Sequence, residues 1–167
     1  MALSKIQSES IDLADNFAGM RFGGTASDNA LNDYEEGSFD VSFATTSGSV
    51  TVNNNICRYV KIGNYVHTQG YISINAISSP GGYINFGGLP FTSAQHNENA
   101  IGGPRTAGSV MAFNITGNNI ADLMLYLNQN TTTAFLVMGD AVTQSLDSGG
   151  AMTATTEIMF SLSYIAA

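Results

Sequence analysis

From Gly37 onward, apolar and polar positions alternate. Phe39, Val41 and Phe43 alternate with Asp40 and Ser42. A period of two marks a strand with one buried face. Val50 and Val52 follow a Ser-Gly-Ser turn signal, and Tyr59-Val60-Lys61-Ile62 reads as a strand stopped by Gly63-Asn64. Gly-Asn is a hairpin dipeptide, because both residues tolerate positive φ. Tyr65 to Ala76 reads as a long strand, with Val66, Ile72 and Ile74 on one face and Tyr65, His67, Gln69 and Tyr71 on the other. Pro80-Gly81-Gly82 predicts a turn, Tyr83 to Phe86 a short strand, and Gly87-Gly88 its end. Further strands are predicted at Val110 to Ile115, Ile120 to Leu127 and Thr131 to Met138. The last is the cleanest: Ile158, Phe160, Leu162 and Tyr164 alternate with Glu157, Met159, Ser161 and Ser163.

The first 33 residues read differently. Ile6, Ile11, Leu13 and Phe17 are spread among Ser and Asp, with Ser4 or Ser8 as a possible cap. This fits a short helix or an extended arm equally. Residues 19–33 are rich in Gly, Ser, Asn and Asp and read as a loop or linker. The chain therefore divides into residues 1–33, an N-terminal segment and linker, and residues 34–167, a β-domain. About eight short strands with frequent turns and no alternating helices predict an all-β fold, a jelly-roll-like antiparallel β-sandwich.

Composition narrows the function. Only 11% of the 167 residues are charged, so the polar surface is built from Asn, Ser, Thr and Gly, which suits strands and turns. The formal charge is −8, and the five basic residues (Lys5, Arg21, Arg58, Lys61, Arg105) are scattered. Nucleic acid and anionic membranes both call for clustered cations, so neither is an expected partner. No apolar run approaches the roughly 20 residues of a membrane-spanning helix, and Met1 to Gln7 has no apolar signal core. The single cysteine, Cys57, rules out an intrachain disulfide.

Catalytic chemistry is not signalled. Cys57 is near neither histidine in sequence and reads as a buried residue. His67 lies mid-strand and His96 in a polar loop, with no zinc-type spacing, so no metal is expected there. Glu35 and Glu36 are adjacent, so in an extended chain they face opposite ways and cannot flank one glycosidic bond. Asp28, Asn29, Asn32 and Asp33 offer oxygen ligands but lack the EF-hand pattern; a Ca²⁺ site in the Asp28–Asp33 loop stays open. The glycine pairs lack the helix and Lys of a phosphate loop, and no cofactor is expected. What remains is surface chemistry. Tyr65, Tyr71, Tyr83 and Tyr126, with Asn-rich turns, suit the apolar faces and hydroxyls of a sugar. Packing, or contact with a neighbouring subunit, is the stronger expectation for tyrosines on such strands.

Leu31-Asn32-Asp33-Tyr34-Glu35-Glu36-Gly37-Ser38-Phe39-Asp40 resembles a segment of phage tail-fibre and virion structural proteins, as does Cys57-Arg58-Tyr59-Val60-Lys61-Ile62-Gly63-Asn64-Tyr65-Val66. Ile84-Asn85-Phe86-Gly87-Gly88-Leu89-Pro90-Phe91, the final strand and the opening Leu3-Ser4-Lys5-Ile6-Gln7 are also similar. Ser38-Phe39 departs from the Thr-Trp pair common in that family. The resemblance implies a jelly-roll-like β-sandwich that assembles as a homotrimer in the virion; the lack of catalytic spacing makes a non-enzyme the expectation. Leu3, Ile6, Ile11, Leu13 and Phe17 would attach it to other virion proteins. As a tail fibre it would contact a host surface glycan, with His96, Asn97, Asn99, Tyr83 and Tyr126 as candidate contacts. The alternative is a capsid decoration or cement protein with no host ligand.

Overall fold

The computed structural model describes residues 20–21, 30–31, 34–95, 105–116, 122–139, 144–145 and 148–167. The strands are β1 (Met20–Arg21), β2 (Ala30–Leu31), β3 (Tyr34–Phe39), β4 (Ser42–Ile62) and β5 (Tyr65–Gly87). They continue with β6 (Thr106–Phe113), β7 (Asp122–Leu127), β8 (Ala134–Gly139), β9 (Gln144–Ser145) and β10 (Glu157–Ile165). A 3-10 turn covers Gly149–Ala151. The ladders are antiparallel, as an all-β reading with hairpin turns predicts.

One sheet runs β3-β4-β5-β10-β6-β7-β8-β9, and β5 also pairs with β8. That second pairing closes β5, β10, β6, β7 and β8 into a five-stranded barrel. A jelly-roll-like sandwich of two facing sheets is not what the ladders form: the sheet folds onto itself. β3 and β4 extend from the barrel as a wing. The helix or arm over residues 1–18 lies outside the described residues. Within residues 19–33, read as a loop, β1 and β2 pair with each other.

The barrel closes because the β4–β5 hairpin is unusually long. The predicted Gly63-Asn64 turn is there, with Ile62 opposite Tyr65. The two later turn signals are not turns. Ser47-Gly48-Ser49 and Pro80-Gly81-Gly82 lie opposite each other in this register, with Ser47 paired to Gly81 and Ser49 to Ser78. Register shifts mark irregularities at Thr45/Ser47 and Ser47/Ser49, and Gly48 (φ 69°) and Gly82 (φ 74°) take left-handed backbone there. Such irregularities bend a strand and sharpen its twist. On one side of this region β5 pairs with β10 through residues 65–73; on the other it pairs with β8 through Ile84–Phe86.

Alternation places the core inside the barrel. Val66, Thr68 and Ile72 of β5 face Ile158, Leu162 and Tyr164 of β10, all buried, and Leu125, Leu127 and Leu136 complete the ring. Thr68 is satisfied by donating to the Leu162 carbonyl at 3.0 Å. Phe86 and Phe160 meet edge-on, 4.7 Å between centroids, a favoured aromatic geometry. Gly70 makes room for this: a Cβ there would lie 2.5 Å from Cys57 Sγ and 2.6 Å from the Phe160 ring.

The motif residues converge where the wing meets the barrel. Tyr59 lies over Gly37 and donates to Glu35 Oε1 at 2.6 Å. Phe91 meets the Tyr59 ring edge-on at 5.2 Å, and Lys61 Nζ stands 5.5 Å from the Phe91 centroid. The Tyr164 hydroxyl donates to the Phe91 carbonyl at 2.9 Å and accepts from its N–H at 3.3 Å. At the β3–β4 link, Asn55 imitates a missing ladder rung: Oδ1 accepts from Val41 N–H at 3.0 Å, and Nδ2 donates to Val41 O at 2.7 Å.

Two substitutions test this joint by urea unfolding. Asn55→Ala leaves Val41 without both partners and lowers stability by about 1–3 kcal/mol. Gly88 has φ 91°, and a Cβ there would meet the Asp40 carbonyl oxygen at 2.2 Å. Gly88→Ala therefore lowers stability by roughly 2–4 kcal/mol.

Candidate functional site

The groups that resemble catalytic residues are engaged in structure. Cys57 is 1% exposed, and burial pushes its thiol pKa up to about 11, so it is protonated at neutral pH and a poor nucleophile. His67 Nδ1 lies 2.9 Å from Ser163 Oγ, a cross-strand pair in direct register. This meets the expectation of a histidine hydrogen-bonded to its neighbours. Glu35 and Glu36 face opposite ways, each accepting a tyrosine hydroxyl: Tyr59 at 2.6 Å and Tyr34 at 2.7 Å. Those bonds raise both phenol pKa values. A cavity of about 30 Å³, lined by Ser93, Thr106, Leu127, Asn128 and Tyr164, holds on the order of one water and cannot admit a sugar.

The outer barrel wall offers more. Along β8, Ala134 and Leu136 point inward, which leaves Phe135 outward and half-buried. Register places Asn85 of β5 on one side of Phe135 and Tyr126 of β7 on the other. Tyr83 meets Phe135 edge-on at 5.3 Å and 80°; Tyr126 stacks beside Phe135 at 6.1 Å and 26°. Arg105 stands over Tyr126, its guanidinium carbon 5.6 Å from the centroid. The Tyr126 hydroxyl donates to Asn128 Oδ1 at 3.4 Å. The result is a partly exposed platform of three rings with a cation and amides at its edge. Ring faces cover the C–H faces of a sugar, and amides and guanidinium bond its hydroxyls.

The chain matches no family model, and no curated protein matches it. Among solved structures, the crystal structure of the Dettilon tailspike protein (gp208) aligns with a TM-score of 0.59 and 21% identity. The alignment covers 79% of this chain and 24% of that one. The likeness is one of fold. This chain thus spans about a quarter of the tailspike it matches.

Of the candidate contacts, the structure brings Tyr83 and Tyr126 together through Phe135. His96, Asn97 and Asn99 lie outside the described residues, as do Leu3, Ile6, Ile11, Leu13, Phe17 and the Asp28, Asn29, Asn32 and Asp33 side chains. Among the described residues no group of three His, Cys, Asp or Glu is placed to hold a metal. Phe135 and Arg105 were not legible as site residues. Phe135 sits in the unbroken run Ala134-Phe135-Leu136-Val137-Met138, which has no period to show its face; Arg105 follows a stretch that reads as loop.

Tyr65 and Tyr71 stand elsewhere, on the outer face of the β4-β5-β10 sheet. Register lines up Ile56, Tyr71, Met159 and Met111 in one rung and Tyr34, Ile62, Tyr65 and Ile165 in another. Ile56 (57%), Met111 (56%) and Tyr34 (60%) are the most exposed of these.

The buried thiol and phenol give a pH signature. Burial also raises the Tyr164 pKa to about 12, so the fold holds both protons more tightly than the unfolded chain does. Their contribution is intact below the unfolded values of 9.0 (Cys) and 10.0 (Tyr) and is lost as pH rises toward about 11 and 12. Thermal melts should show Tm falling above pH 9.0, with Cys57→Ala flattening the early part of that fall.

Proposed function

We propose that this chain is a non-catalytic structural component of a phage virion, a tail-fibre or tailspike-like domain that assembles as a homotrimer and contacts a host surface glycan. The observation that carries the reading is the pair of exposed apolar rungs on the outer face. Each rung runs unbroken across neighbouring strands, with the polar rungs of His67 and Gln69 between the two; exposed apolar side chains so aligned mark an interaction site and suit burial against further copies of the chain. The platform of Tyr83, Phe135 and Tyr126 lies on a different part of the barrel wall, so assembly leaves it for the ligand. Three copies per trimer strengthen a weak single contact through effective concentration. The shared fold with a tailspike and the motif resemblance support a virion role. Residues 1–33 would join the domain to its virion partners.

Light scattering should give a mass near three times 17.5 kDa. A monomer would remove the trimer. Met111→Glu combined with Ile56→Glu should shift the mass toward the monomer while the β-sheet spectrum persists. Purified protein should compete with phage for host cells, and Tyr126→Ala with Phe135→Ala should abolish that competition in a folded trimer. Density at local three-fold axes of the head, with no competition, would assign the chain to capsid decoration instead. Reducing ends released from host polysaccharide would overturn the non-catalytic reading.

A further inference from the structure

The platform's edge carries chemistry that a neutral sugar does not use. Arg105 is exposed, in a chain with only five basic residues and a formal charge of −8. Among the described residues its contact is to a ring, not a carboxylate. A cation over a ring face keeps its charge and its five N–H donors, while the ring helps to hold it in place. A held guanidinium is preorganised to take a carboxylate through two parallel hydrogen bonds.

We propose that the Tyr83–Phe135–Tyr126 platform selects an acidic glycan of the uronic-acid class. A sugar ring lies against Phe135, beside the Tyr126 ring that Arg105 covers, and its carboxylate pairs with Arg105. This deepens the reading of the platform as the glycan-contact surface and rests on it. The overall charge of −8 opposes an anionic ligand at long range. At physiological salt that repulsion is screened beyond about 8 Å, whereas the guanidinium–carboxylate contact acts at hydrogen-bond distance.

The test is an amide NMR titration of the full chain with methyl β-glucuronide and with methyl β-glucoside, two pyranosides that differ only in oxidation at C6. The glucuronide should perturb Tyr126, Phe135 and Arg105 with a Kd about tenfold lower than the glucoside, the scale of a charge-assisted pair at a half-exposed site. Arg105→Gln should bring the glucuronide to the glucoside's Kd, and Arg105→Lys should recover only part of the difference, because an ammonium lacks the fork. Both substitutions are at an exposed position, and the unliganded spectra report whether the fold is kept. Equal affinity for the two sugars, with the rings still perturbed, would overturn acidic selection and leave the platform standing. No perturbation of the rings by either sugar would overturn the platform and the selection together.

Discussion

β5 has two partners on the same edge, and the barrel depends on this. Its first half bonds β10 and its last residues bond β8, while β4 lies along its other edge throughout. A straight strand of this length would carry β8 and β10 side by side in an open sheet. The paired irregularities around Ser47–Ser49 and Ser78–Gly82 let the ribbon turn, and once it turns β10, β6, β7 and β8 fill the circuit between its halves. Closure gives each of the five barrel strands a partner on both edges, and open edges are what a sheet protein must otherwise protect. It also rings a core in which the bulk of Phe86 and Phe160 is offset by the missing side chain of Gly70.

The wing needs its own fastening, because β3 and β4 lie outside the closed circuit of the barrel. That fastening is built from the residues that resemble the virion family. Glu35 and Gly37 receive Tyr59; Tyr59 receives Phe91; Phe91 is held at its backbone by Tyr164 of the last strand. At this joint Tyr59 meets Phe91 edge-on, and Lys61 stands over the Phe91 ring. The motifs thus encode a joint between wing and barrel rather than a reactive centre. They speak to fold, and the same joint can serve domains that bind quite different ligands.

Legibility in the sequence followed burial on one face. β10 sits between β5 and β6 and shows one face to the core, so Ile158, Phe160, Leu162 and Tyr164 could be read directly. β7 was readable through Leu125 and Leu127 for the same reason. The glycine signals at 48 and 81–82 do mark breaks in regular strand, but they are not turns, because the two segments face each other in one hairpin, which sequence order hides. β8 was found as a strand, yet its outward residue could not be told from its inward ones, since Val137 is buried as well as Leu136. Sandwich and barrel also share the same strand pattern; what separates them is one ladder, Ile84–Phe86 against Ala134–Leu136, which pairs residues some fifty positions apart.

The same geometry separates two surfaces of different chemistry. The outer face of β4, β5, β10 and β6 carries aliphatic and methionine side chains in register, adaptable groups that suit burial against a broad partner. The wall formed by β5, β8 and β7 carries rings with amides and a cation, groups that suit a small polar ligand. The aligned apolar side chains and the three rings are all borne by paired strands, which limits the entropic cost of ordering them on binding. β5 contributes to both through its two halves, Tyr71 to the first surface and Tyr83 to the second. The bend that closes the barrel is thus also what turns one strand toward the aliphatic face and the ring-lined face at once.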